Sequence, residues 1–146
     1  MKNFLVRDWM SPNPITVTSD TPLPDAHQLM ADHKIRRLPV VDDGELVGII
    51  TLGDVRGAQA SDATSLSIFE LHYLLARLPV RQVMHHPVIT VSPQATIAEA
   101  AALMLRHKIA GLPVVEGGRV VGILTESDIF RLTVETWQAE QEKKAA

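Results

Sequence analysis

The chain has 146 residues, 46% of them apolar and 21% charged, with a formal net charge of −3 and no cysteine. That length fits one domain with a sizeable core. The weak charge with scattered basic residues argues against a nucleic-acid surface, and the lack of cysteine excludes disulfides, thiolate catalysis and cysteine zinc sites. The segment Met1–Asp8 lacks the apolar run of a signal peptide. No window approaches the roughly 18 unbroken apolar residues of a membrane span, so a soluble, cytoplasmic protein is expected.

In chain order, Ile15-Thr16-Val17-Thr18 is a β-branched run that predicts a strand. After Ser19–Pro22, Leu23, Ala26, Leu29 and Met30 recur at helical spacing. Pro22 and Pro24 are tolerated there because first-turn amides have no helical partner. Leu38–Val41 and Leu46–Ile50 predict two strands of a hairpin turning through Asp42-Asp43-Gly44-Glu45. Pro39 lacks an amide donor, which suits a strand start or an edge. Thr51 then opens a second helix. Residues 57–65 are small and polar and predict a flexible loop. Leu66, Phe69, Leu71, Tyr73, Leu74, Leu75 and Leu78 predict an apolar helix, expected to dock on the second half. The second half runs likewise: a strand at Val88–Val91, then a helix with Ile97, Ala100, Ala101, Met104 and Leu105 on its apolar face. Next come a strand at Leu112–Val115, a turn at Glu116-Gly117-Gly118-Arg119 and a helix opened by Thr125. Beyond Trp137 the tail is polar and helix-prone.

The similarity of the halves is a true repeat. Residues 6–55 fall without a gap on residues 80–129, and 22 of the 50 pairs are identical. An internal repeat fixes the architecture before any local reading. It predicts an α+β fold of two units, each strand-helix-strand-strand-helix. The expected division is repeat 1 at 5–56, a linker with an apolar helix at 57–78, repeat 2 at 79–132 and a helical tail at 133–146. About 50 residues bury too little surface alone, so the repeats are expected to pack with pseudo-two-fold symmetry, each carrying a matching cleft.

Thr51 and Asp54, repeated as Thr125 and Asp128, are the chemically suggestive residues. A threonine at a strand-to-helix junction places its hydroxyl and nearby amides where a phosphate is favoured. An aspartate one turn on can accept hydrogen bonds from two ribose hydroxyls. Ile15, Ile35 and Ile49 offer apolar walls for a purine. Thr-x-x-Asp is equally a relative of the helix capping box, in which both side chains only satisfy amides; both readings stand. No catalytic residue emerges: Gly-x-Ser-x-Gly and P-loop patterns are lacking, and neither aspartate has an evident base or metal partner. The histidines, including His85-His86 and the helix-end pair His33 and His107, do not make a metal site. Asp42–Glu45 reads as a turn rather than a calcium loop.

The segments GIITLGD (48–54) and GILTESD (122–128), each following LPVV, resemble the CBS domain. The whole chain resembles a tandem CBS pair, or Bateman module. The resemblance implies a regulatory, non-catalytic sensor of adenine nucleotides (AMP, ADP or ATP) that signals through conformation or assembly and requires no cofactor. It implies a first ligand site of Ile15, Ile35, Arg36, Ile49, Thr51 and Asp54, and a second of Ile89, Ile109, Ala110, Ile123, Thr125 and Asp128. In both, Thr meets phosphate, Asp holds ribose and the apolar residues flank adenine. Basic residues just before the LPV strand reach ligand phosphates in this family, so Arg36 and Arg37 furnish the first site better than Ala110 and Gly111 furnish the second. The resemblance also implies a homodimer of modules stacked through their helices, and a regulated enzyme or transporter as partner. The alternative is an interaction or dimerisation module that binds no ligand.

Overall fold

The computed structural model describes residues 4–62 and 67–145. In chain order the elements are α1 (Val6–Trp9), β1 (Ser11–Pro12), α2 (Leu23–His33), β2 (Arg37–Asp42), β3 (Glu45–Thr51), α3 (Leu52–Asp62) and α4 (Ile68–Arg77). A short 3-10 turn at Val80–Gln82 leads to α5 (Ile97–His107), β4 (Gly111–Glu116), β5 (Arg119–Thr125) and α6 (Glu126–Ala145). The α+β class and the repeated order of elements are as the sequence predicts.

The chain divides into two compact units that do not follow the sequence repeats. One is Ile15–Val88; the other joins Met1–Pro14 to Ile89–Ala146. The cause is a pair of exchanged arms, each bound through its backbone to the other repeat. In the first unit the amide of Leu23 donates to the carbonyl of Leu78 (2.8 Å), that of Val80 to Thr21 (2.8 Å) and that of Arg81 to Ser19 (3.0 Å). In the second unit the amide of Ile97 donates to Phe4 (2.8 Å), that of Val6 to Ala95 (2.9 Å) and that of Arg7 to Pro93 (3.0 Å).

Each unit centres on one antiparallel hairpin. β2 pairs with β3 from Arg37–Thr51 to Asp42–Glu45, and β4 with β5 from Gly111–Thr125 to Glu116–Arg119, with a bulge at equivalent points, Val40/Val41 and Val114/Val115. Both turns have two central residues at positive φ: Asp43 (50°) and Gly44 (82°), then Gly117 (57°) and Gly118 (80°). This is the backbone that matches strand twist in tight hairpins and favours Asp-Gly or Gly-Gly. The arms add one edge: His85 bridges Ile49, and β1 pairs Ser11 with Ile123 and Pro12 with Gly122.

The strands expected at Ile15–Thr18 and Val88–Val91 shrink to single parallel bridges, Val17 to Val40 and Val91 to Val114. In the first unit the chain turns at once, with the amide of Thr21 on the carbonyl of Thr18 at 3.1 Å, so the pairing cannot lengthen. That explains Pro39, which lies within β2 rather than at its start. Its Val17 neighbour draws only on the carbonyl of Pro39 (3.1 Å) and the amide of Val41 (2.8 Å), so the missing amide costs no hydrogen bond.

The first core joins Leu23, Ala26 and Met30 of α2 to Leu38, Val40, Ile50, Val55, Leu75 and Val80; the second joins Ile97, Ala100 and Met104 of α5 to Val6, Leu112, Val114, Leu124 and Leu132. Three expectations need correction. Residues 57–62 are not loop but the continuation of α3, because Ala58 packs on the first core and Ala is the strongest helix former; residues 63–65, like Leu66, lie outside the described residues. The helix α4 docks on the first half rather than the second, through Leu75 and Leu71, with Leu78 tied to Leu23. Leu105 is not on the buried face of α5: it is 81% exposed, and Leu103 packs on the core instead.

Asp42 fastens the loop before α2 to the first hairpin. The Ser19 hydroxyl donates to its Oδ2 at 2.6 Å and the Ser19 amide to its Oδ1 at 3.0 Å. These bonds, led by the hydroxyl, hold the Asp42 carboxyl below its ordinary range, with Arg81 adding a smaller pull. A depressed folded-state value means stability that is present above the ordinary carboxyl pKa and lost as pH falls through the folded one. Asp42→Asn should therefore lower the unfolding midpoint at neutral pH, and its gap from the native chain should close below about pH 4. Thermal melts from pH 3 to 7 check this; a gap that widens in acid would refute it.

Candidate functional site

Both sites form where the second hairpin strand runs into a helix. In the first, the helix-to-strand link is short because Lys34 ends α2 in the left-handed region (φ 54°, ψ 43°), so Arg36 comes back over the end of β3. The carbonyl of Arg36 accepts the amide of Leu52, the first residue of α3, at 2.8 Å, and Arg37 is the register partner of Thr51. Lys108 (φ 54°, ψ 47°) repeats the device, with the amide of Glu126 on the carbonyl of Ala110 at 3.0 Å and Gly111 opposite Thr125. Arg36 is exposed, whereas Arg37 and Ala110 are half-buried.

Thr51 and Asp54 cap the helix reciprocally. The Thr51 amide donates to Asp54 Oδ2 at 2.8 Å, and the Asp54 amide to Thr51 Oγ1 at 3.2 Å. In the second site the Thr125 amide donates to Asp128 Oδ2 at 2.8 Å, and the Thr125 hydroxyl lies 3.3 Å from the same oxygen. The capping arrangement is thus real, and in the first site it takes up amides that the sequence reading left for a phosphate. The amides of Thr51, Leu52 and Asp54 are all engaged within the chain. The bonds named here do not use the Gly53 amide.

Each cap consumes one carboxylate oxygen and leaves the other. Asp54 Oδ1 lies 2.6 Å from Nε2 of His85, and Asp128 Oδ1 lies 3.6 Å from an Nη of Arg131. Neither partner was anticipated, and their presence corrects the view that the aspartates stand alone. Arg131 is itself held over the ring of Trp9, 4.8 Å from its centroid, and donates to the Trp9 carbonyl at 3.2 Å. The side chains of Asp54 and Asp128 are 14% and 13% exposed, so both are largely buried.

Of the predicted apolar walls, Ile15 and Ile35 pack against the first core, and Ile89 and Ile109 against the second. Ile49 is half-buried and bonded to His85 in both directions, amide to carbonyl at 3.0 Å and back at 2.9 Å, while Ile123 is buried and paired with Ser11. A groove of about 380 Å³ between α2, α3 and α4, lined by Leu23, His27, Val55 and His72 among others, includes neither Thr51 nor Asp54. Among the described residues no three or more His, Cys, Asp or Glu side chains are grouped to hold a metal ion, and no helix is long and apolar enough to cross a membrane.

Comparison with known proteins places this geometry. The profile of the CBS domain matches residues 6–61 and 80–135. The CBS domain pair of protein MJ0100, solved in complex with 5′-methylthioadenosine and S-adenosyl-L-methionine, is 34% identical with a TM-score of 0.80, over 92% of this chain and 99% of that one. CBSX2 of Arabidopsis thaliana, solved in complex with AMP, is 28% identical with a TM-score of 0.76, over 91% of this chain and 98% of that one. Inosine-5′-monophosphate dehydrogenase of Korarchaeum cryptofilum is 35% identical over 88% of this chain, which spans only 23% of that protein. With both copies matched in register and both Thr–Asp sites formed, the chain belongs to the CBS domain family, as a tandem pair.

Proposed function

We propose that this CBS pair is a regulatory module that binds adenosine compounds at its two Thr–Asp sites, without catalytic chemistry or a required cofactor. The observation that carries this reading is the carboxylate geometry: in each site one oxygen is committed to the helix cap while the other stays outside it, against His85 in the first site and near Arg131 in the second. A ribose diol can reach that second oxygen. The bound adenosine compounds of MJ0100 and the AMP of CBSX2 support the ligand class. Arg36 and Arg37 beside Thr51 fit a phosphate-bearing ligand such as AMP, ADP or ATP; Ala110 and Gly111 beside Thr125 fit a less charged one. In this reading Ile15, Ile35 and Ile49, with Ile89, Ile109 and Ile123, flank the adenine.

A ligand can signal only by binding two arrangements of the module unequally. A homodimer is the natural second arrangement, and the exposed apolar residues Phe69 (84%), Phe130 (63%) and Trp137 (61%) offer surface for it. A regulated enzyme or transporter is the expected reader of the change, in a cytoplasmic setting that suits a chain with no cysteine. The reciprocal cap of the first site and the Thr125 amide bond to Asp128 in the second favour one competing reading, a dimerisation or partner-docking module whose aspartates serve only their helices.

Thermal unfolding against AMP, ADP, ATP and S-adenosylmethionine, with GMP as control, separates the two. A ligand at about 100 times its dissociation constant stabilises by about 2.7 kcal/mol, several degrees for a chain of this size. We expect that shift with at least one adenosine compound and not with GMP. No shift with any of them would favour the docking module.

A further inference from the structure

The two sites differ in what the exchanged arm delivers to them. At the equivalent positions of the repeat stand Ser11 and His85. Both arms make the same backbone pairing, Ser11 with Ile123 and His85 with Ile49. Only the first arm places an imidazole on the site aspartate.

The contact is short and one-sided. His85 Nε2 lies 2.6 Å from Asp54 Oδ1, and because the acceptor is a carboxylate, Nε2 carries the proton. The histidine side chain is 68% exposed and the aspartate 14%, so the imidazole covers the aspartate from the solvent side. Oδ2 is already bonded to the Thr51 amide. Oδ1 is the oxygen that the helix cap leaves over, and the imidazole holds it.

We propose, resting on the ligand reading above, that His85 sets the affinity of the first site by competing with the ligand ribose for Asp54. Every ligand that takes Asp54 through its ribose bears the cost of breaking a charge-assisted hydrogen bond. A ligand that also carries phosphate gains a second anchor from Arg36, Arg37 and the Thr51 hydroxyl. The first site therefore sets an affinity threshold, which a phosphorylated adenosine compound has more contacts to meet than adenosine itself. The second site, with Ser11 in the arm, sets no imidazole against the ribose; there Arg131 lies 3.6 Å from Asp128 Oδ1.

The chain supplies its own test variant. His85→Ser puts into the first arm the residue the second arm already uses, and the pairing with Ile49 runs through backbone atoms that the change leaves in place. Calorimetric titrations with adenosine and with AMP, in an Asp128→Asn background that disables the second site, compare His and Ser at position 85. We expect His85→Ser to tighten adenosine and AMP binding alike by about tenfold, the scale of one hydrogen bond to a charged group, and to leave the ratio of the two affinities unchanged. Adding Asp54→Asn should abolish the difference between His and Ser, a coupling that a general effect on folding would not produce. Equal affinities with His and Ser, or weaker binding with Ser, would overturn the proposal while leaving the site itself standing. Absence of binding by either protein would overturn the site reading and the proposal together.

Discussion

Leu38→Ala is expected to destabilise the chain by about 2–5 kcal/mol, and Leu112→Ala by a similar amount. Both leucines are 0% exposed and stand in the second position of their hairpin strands, opposite Ile50 and Leu124, which are equally closed to solvent. The cost has two parts: lost transfer of the removed methyl groups from water, and a cavity that neighbours held by strand pairing fill only in part. For a chain of this length the unfolding midpoint should fall by roughly 5–15 °C. Urea unfolding of the two variants beside the native chain measures it. A loss below about 1 kcal/mol in either would mean that the surrounding helices collapse onto the vacated space, contrary to the packing described.

Gly48→Ala is expected to cost about 1–3 kcal/mol through overpacking. A Cβ at Gly48 would collide with Met84 Sδ and lie 3.0 Å from Met84 Cγ and 3.1 Å from the carbonyl oxygen of His85. The thioether can swing away, but the carbonyl is bonded to the Ile49 amide and cannot move without loosening the arm. Gly122 repeats the situation against Met10 and the carbonyl oxygen of Ser11, at 3.0 Å. The expected result is thus a stability loss that Met84→Ala, added to Gly48→Ala, recovers only in part. Full recovery would show that the side chain alone demands glycine here. The same change should draw His85 off Asp54, because the arm that carries the imidazole is the one being pushed.

Much of this was legible because the chain states it twice. A hydrophobic face at Leu23, Ala26 and Met30 that recurs at Ile97, Ala100 and Met104, and turn residues at the same offset, leave little freedom in assigning α2, α5 and the hairpins. The Thr–Asp pairs were legible as residues but ambiguous in role, because one carboxylate can cap its helix with one oxygen and hold a second contact with the other, as Asp54 does with Thr51 and His85. Hidden from the sequence was the exchange of arms. A pairing such as His85 with Ile49 is made by backbone atoms, so the side chains carry no record of which repeat an arm will join. The contact of His85 with Asp54 is hidden for the same reason, since the bridge to Ile49 brings the two together. The docking of α4 was misread because an apolar face fits either core; the bond between Leu23 and Leu78 decides the matter.

The most direct test of the ligand reading is a calorimetric titration of AMP into the native chain, Asp54→Ala and Asp128→Ala. The account predicts saturable binding by the native chain, weakened by tenfold or more in Asp54→Ala, as expected for loss of a charged hydrogen-bonding group. Asp128→Ala should retain the first-site component. A native chain that takes up no AMP, or one whose binding survives both substitutions unchanged, would contradict it.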